Sequence, residues 1–202
     1  MTKKSRIRHH VNPLADQTEH HFVGFDNDRP IIVDIGADRG EFTQQLIEKF
    51  GNSKNFIACE IRKPLARRLE EKFENYNNVV VFDGDIVRNF TNIIKPSIEK
   101  NIIVEDVYIN FPDPWFKERH KKRRVINKKF LEGIKDWVQK DTVWIFQTDQ
   151  RQLFDETVEE LEGLDYIKIE FFNDSPHGAT TKWEEAKIAD GFEINRLKFR
   201  FM

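Results

Sequence analysis

From Pro30 onward, short apolar runs alternate with amphipathic stretches. Residues 31–35, 55–60, 79–82, 105–110 and 142–147 are rich in β-branched and aromatic side chains and end in polar or turn residues, a pattern that predicts strands. Residues 41–50, 64–75, 90–99, 128–139 and 151–161 return apolar side chains every three or four positions, which predicts helices packed through one face. Strands alternating with helices long enough to cross over predict parallel β-α-β units. The rhythm breaks near the end: residues 166–172 and 193–201 read as strands with an irregular polar stretch between them, which predicts an antiparallel final pair. The pattern as a whole predicts an α/β doubly wound, mostly parallel seven-stranded sheet with an antiparallel C-terminal strand and helices on both faces.

With 202 residues the chain fits one domain. Residues 1–29 are polar, rich in His and charge and without sustained period, so they read as a flexible basic arm before a domain over residues 30–202. The net charge of -2 is unevenly spread. Residues 117–129 carry eight Lys or Arg against one Glu, and residues 1–10 carry four Lys or Arg, which leaves the remaining body strongly acidic. Such segregation points to a polyanion met locally. The lone Cys59 lies in an apolar run and reads as core. No apolar run approaches the ~20 residues of a membrane helix, and the chain reads as cytoplasmic, with no membrane partner. His9, His10, His20 and His21 match no metal-site spacing, and no metal is assigned.

In a doubly wound sheet, ligands bind beyond the carboxyl ends of the strands. The first strand runs into Gly36-Ala37-Asp38-Arg39-Gly40, where Gly36 permits close approach of a ligand and the helix starting near Gly40 offers free N–H groups. Asp38 replaces the middle glycine of a phosphate-binding fingerprint and repels a pyrophosphate, which favours a ligand without phosphates. Glu60 closes the second strand, placed to accept from ribose hydroxyls, and Asp85 follows the third, placed for an adenine amino group. Asp34, one step inside the first strand, needs a cationic partner. The fourth strand delivers Phe111-Pro112-Asp113-Pro114-Trp115, stiffened by its prolines, directly before the basic run.

These segments resemble the tRNA (guanine-N7-)-methyltransferase family over nearly the whole body. The resemblance is carried by Asp34-Ile35-Gly36, Cys59-Glu60-Ile61, Asn110 to Trp115, Lys117, Arg119 to Arg124, Thr148-Asp149 and Thr181-Lys182-Trp183-Glu184. Arg8 to Leu14 is similar to an arm found in some members. The resemblance implies a Rossmann-like fold and S-adenosyl-L-methionine bound by Asp34, Gly36, Gly40, Glu60, Asp85 and Asp113, with Asp113 as the catalytic residue. It further implies that Lys117, Asp149, Thr181, Lys182, Trp183 and Glu184 meet the target nucleotide, while Arg119, Lys121, Lys122, Arg123 and Arg124 hold tRNA phosphates. The chain fits a monomer or homodimer, with or without an accessory subunit. Two alternatives stand beside this reading: a non-catalytic RNA-binding protein on the same fold, and another nucleoside-cofactor enzyme acting on a small molecule.

Overall fold

The computed structural model describes residues 11–15 and 18–202. Arg8, His9 and His10 of the expected arm lie outside them. Seven strands form one sheet: β1 (Ile31–Ile35), β2 (Asn55–Cys59), β3 (Val79–Phe82), β4 (Val104–Asn110), β5 (Val143–Thr148), β6 (Ile167–Phe171) and β7 (Asn195–Phe201). Their order is β3-β2-β1-β4-β5-β7-β6. The pairings among β1 to β5 are parallel, while β7 runs antiparallel to both β5 and β6. Strand order therefore reverses at β1, which lies between β2 and β4, and the crevice above this point is where a doubly wound sheet takes its ligand.

Among the described residues six α-helices connect the strands: α1 (Glu41–Phe50), α2 (Lys63–Phe73), α3 (Ile86–Glu99), α4 (Lys128–Ile134), α5 (Arg151–Glu162) and α6 (Lys182–Ala189). One face of the sheet packs apolar residues of α1 and α2, such as Phe42, Leu46 and Leu69, on Ile32, Phe56 and Tyr108. The other packs Phe90, Phe130 and Leu153 of α3, α4 and α5 on Val33, Val107 and Trp144. Trp144 is fully buried and stacks on Phe199 at 5.6 Å. Cys59 is buried and unpaired. Trp137, which patterns as core, is instead 37% exposed and lies beneath the Lys95 ammonium.

A helix, α6, forms in the stretch expected to be irregular, started by a capping box of Thr181 and Glu184, and α3 and α4 depart most from their predicted bounds for local reasons. The Asp85 carboxylate accepts from the Val87 N–H and starts α3 at Ile86, four residues before Phe90. At the other end, α4 stops at Ile134. Gln139 is thereby freed to bridge the Val104 N–H and the Ile102 carbonyl at the foot of β4.

Packing also extends to the N-terminal side of Pro30. Phe25 is buried in the α3 face, and Asn89 accepts from the His20 N–H and donates to the Thr18 carbonyl. No helix among the described residues is long and apolar enough to cross a membrane.

Candidate active site

A cleft of about 870 Å³ opens at the switch point. Its walls bring together Asp34, Glu60, Asp85, Asp113 and Asp149, five acids drawn from the ends of five successive strands. Gly36, Arg123, Thr181, Lys182 and Trp183 also line it, whereas Gly40, Lys117, Arg119, Lys121, Lys122, Arg124 and Glu184 lie off its walls.

Asp34 is buried within β1 and accepts from the Thr43 hydroxyl at 2.6 Å. Burial pushes its carboxyl up to about 6; the Thr43 hydrogen bond opposes this rise and the nearby Glu60 charge adds to it. The ionised form of a carboxylate in such a place is costly unless a cation comes to it. The cationic end of S-adenosyl-L-methionine meets that need. Gly36 fits the same group: its φ is +84°, and a Cβ added there meets nothing within 4 Å, so backbone is presented openly to the cleft.

Gly40 serves a different purpose from the expected cofactor contact. With φ at +68°, it lies under α2, where an added Cβ comes within 2.6 Å of Leu69 and 2.9 Å of Phe73. It allows α1 to start against α2. Gly40→Ala is expected to destabilise the protein by about 1–3 kcal/mol through overpacking and backbone strain, measurable by urea unfolding; an unchanged midpoint would contradict this role.

Glu60 does not stand open. Its Oε1 accepts from the Arg62 backbone N–H at 2.8 Å and from Arg62 Nε at 2.9 Å, and its Oε2 accepts from Arg62 Nη2 at 2.8 Å and the Asp38 N–H at 3.0 Å. Arg62 Nη2 also reaches Asp38 at 2.8 Å. Asp38 has φ of +51°, a left-handed conformation that glycine adopts more readily, and its side chain tethers the guanidinium covering Glu60. Spacing does not reveal this clasp, because Arg62 reads as an ordinary cation before a helix.

The loop after β4 is held from both sides. The Phe111 N–H donates to the Gln147 carbonyl at 2.8 Å, and both Phe111 and Trp115 have positive φ, at +48° and +43°. Non-glycine residues there carry strain of about 1–3 kcal/mol each, kept only where surroundings impose it. The basic run supplies much of that constraint. Arg124 Nε donates to the Pro114 carbonyl at 2.8 Å, and the Arg123 guanidinium sits 4.9 Å from the Trp115 ring centroid.

Two cations expected on RNA phosphates are partnered within the protein. Lys121 pairs with Glu118 and Glu156, and Arg124 pairs with Glu156 at 2.6 Å. Desolvation acts to raise Glu156, but hydrogen bonds from Gln152, Arg124 and Lys121 outweigh it and hold the carboxyl down at about 2. The Glu156 partnership pins the basic segment to α5. Lys117, Arg119 and Lys122 are exposed, in the segment that follows the cleft-lining loop.

On the opposite wall, Asp149 accepts from Gln150 at 2.7 Å and from the Trp183 indole N–H at 3.3 Å, and Lys187 lies 3.9 Å away. Lys187 itself sits over the rings of Trp183 and Phe192 at 4.8 and 4.5 Å. Thr181 caps α6 by accepting from the Glu184 N–H at 3.0 Å, and Lys182 pairs with Glu41. Glu184, expected at the target nucleotide, has 0% exposure and pairs with Arg196 at 2.6 Å beneath the helix. It positions the wall from below.

A family model described as "Putative methyltransferase" matches residues 28–196. A tRNA (guanine-N(7)-)-methyltransferase of Prochlorococcus marinus is 32% identical over 95% of this chain and 90% of its own length. One from Listeria monocytogenes is 32% identical over 94% of this chain and 88% of its own length. Among solved structures, a SAM-dependent methyltransferase from Aquifex aeolicus superposes with a TM-score of 0.53 at 13% identity, covering 87% of this chain and 85% of that one, a likeness of fold. Near-full-length relatives at this identity place the chain in a family: it belongs to the tRNA (guanine-N7-)-methyltransferases.

Proposed function

We propose that this protein methylates N7 of a guanine in tRNA, in the variable loop, using S-adenosyl-L-methionine. The observation that carries the reading is the buried, unneutralised Asp34 facing the same cleft as Asp113 and Asp149. A cationic cofactor and a purine edge are the two ligands this set of acids suits. The cofactor, when bound, supplies an electrophilic methyl on a sulfonium, which departs as a neutral thioether once the methyl has moved to nitrogen. Asp34 and Gly36 hold its amino-acid end, Glu60 accepts from its ribose after Arg62 gives way, and Asp85 lies on the adenine side.

Guanine N7 has a lone pair at neutral pH, so no base must remove a proton before attack. The chain's work is placement. Fixing two reactants in line contributes up to roughly 7–11 kcal/mol of the barrier. Asp113 and Asp149 accept from the N–H groups of the guanine edge and stabilise positive charge growing on the ring. Trp115 and Trp183 offer aromatic faces for a base drawn out of its stack. Lys117, Arg119 and Lys122, together with Arg123 at the rim, meet phosphates. The proposal is for a monomer or a homodimer, with or without an accessory subunit.

Incubation with unmodified tRNA and methyl-labelled cofactor tests the assignment. Label at guanine N7 is the expected result; cofactor and RNA binding without transfer would favour the non-catalytic alternative.

Cofactor affinity should depend on pH through Asp34. Its carboxyl is neutral below about 6 and anionic above. Binding of a cation therefore strengthens as pH rises through that value and weakens by up to about tenfold per unit below it. For the protein alone the sign is opposite. A raised acid pKa means that ionising Asp34 costs stability, beginning above its ordinary value and complete above about 6. Calorimetry with the cofactor between pH 5 and 7.5 should show the affinity step in the wild type and lose it in Asp34→Asn. A flat wild-type profile would remove Asp34 from the cofactor site.

A further inference from the structure

Asn110 ends β4 immediately before the Phe111–Trp115 loop and lines the cleft. Both Nδ2 and Oδ1 are buried, and neither has a hydrogen-bond partner among the described residues. Such a group is unusual, because a buried amide without partners forfeits the hydrogen bonds that water gave it. Its neighbours in the strand are all satisfied differently: Tyr108 reaches Asp106, and the Phe111 N–H goes to β5. Among the described residues it is the buried amide left unmet at both its atoms, and it belongs to a residue that lines the cleft.

Register locates it further. Ile109 lies opposite Ile35 of β1, one residue before the Gly36 turn, and Asn110 lies opposite Gln147 of β5. Side chains two apart share a face of a sheet, so Asn110 continues the row of Tyr108, on the side where α1 packs and where Gln147 supports Glu184 beneath α6. It thus stands between the cofactor turn on one side and the Asp149–Trp183 wall on the other.

We propose that the Asn110 carboxamide recognises the O6/N1–H edge of the target guanine, its NH₂ donating to O6 and its oxygen accepting from N1–H. The inference rests on the guanine-N7 reading above and deepens it. In guanine, O6 lies between N7 and N1. When N7 faces the cofactor, the partner of O6 must sit between the cofactor cradle and the acids, which is the place Asn110 occupies. Among ordinary ligand edges, an adjacent acceptor and donor match an amide whose two atoms are both unmet. Asp113 and Asp149 then remain for the exocyclic amine and for the charge that develops on the ring. Neither acid can donate to O6 while ionised, so a donor is needed in addition to them.

The experiment measures kcat/KM for tRNA carrying guanosine or 6-thioguanosine at the target position, with wild type, Asn110→Ala and the isosteric Asn110→Asp, alongside cofactor affinity and melting temperature. Sulfur at position 6 is a poor acceptor but leaves N1–H, N7 and the amine in place. Loss of one such paired edge is expected to lower kcat/KM by about 10–100-fold in Asn110→Ala. Asn110→Asp, which faces O6 with a second acceptor, should lose at least as much. The wild type should suffer from the sulfur substitution and Asn110→Ala should hardly notice it, with cofactor affinity within twofold and melting unchanged. An equal sulfur penalty in wild type and variant, or a loss that falls on cofactor affinity instead, would overturn the assignment while leaving guanine methylation standing. No transfer by the wild type to any guanosine would overturn both.

Discussion

Replacing Glu184 by alanine is expected to remove about 3–5 kcal/mol of stability, the usual loss when one partner of a buried ion pair is deleted. The carboxylate has no exposure and accepts from Arg196 at 2.6 Å, Ser175 at 2.5 Å and Gln147 at 3.1 Å. Its oxygen also takes the Thr181 N–H, closing a capping box at the start of α6. In the variant Arg196, with a side chain only 8% exposed, keeps its charge and loses its anion. For a chain of this length the loss corresponds to a fall of about 6–20 °C in melting temperature. Methyl transfer should fail at the same time, because Thr181 and Trp183 are carried on the helix start that Glu184 fixes. Glu184→Gln retains shape and one hydrogen-bonding oxygen and should lose less of both. Thermal unfolding of the two variants checks this, and a change under about 1 kcal/mol in Glu184→Ala would mean that the pair is incidental.

Asp113→Ala should have the opposite profile. Transfer is expected to drop by about 10²–10³-fold, the scale of deleting one preorganised electrostatic contact at a developing charge, while stability shifts within about 1 kcal/mol. Asp113 is half-buried on the cleft wall, in a loop anchored independently through the Phe111 N–H to β5 and through Pro114 to Arg124. The shape of the loop thus has supports other than this side chain. Asp113→Asn, which keeps the size but not the charge, separates orientation from charge stabilisation by its residual rate. A large fall in melting temperature, or a near-normal kcat/KM, would contradict the role.

The sheet was legible because its signals are local and repeated. Each strand is an apolar run, each crossover an amphipathic stretch, and the break in rhythm after α5 marks where β7 inserts antiparallel between β5 and β6. The acids at strand ends were legible for the same reason, since a carboxylate next to an apolar run is visible without knowing its neighbours. What neutralises them was not. Arg62 meets Glu60 and Asp38 only because the turn after β2 folds back over the turn after β1. Lys121 and Arg124 looked like part of a phosphate clamp because Glu156, their partner, lies on α5, more than thirty residues on. Glu184 looked like a contact residue with its neighbours because the stretch read as irregular, and no apolar period announced the helix that turns it under the wall. The left-handed backbone at Phe111 and Trp115 had no signal either; prolines announced a stiff loop but not its sign of φ.

The clasp on Glu60 has a thermodynamic corollary. Both carboxylate oxygens already accept from donors of the chain, so a ribose cannot simply be added to them. In the proposed cofactor complex its arrival is an exchange reaction, in which hydroxyls take the place of the guanidinium on Glu60. Observed affinity is then the difference between two bonded states, reduced by whatever the closed one is worth. The departure from glycine at position 38 thereby becomes a setting on that equilibrium: the same side chain that occupies a backbone shape suited to glycine also fixes how firmly the site holds its own counterion before any ligand comes.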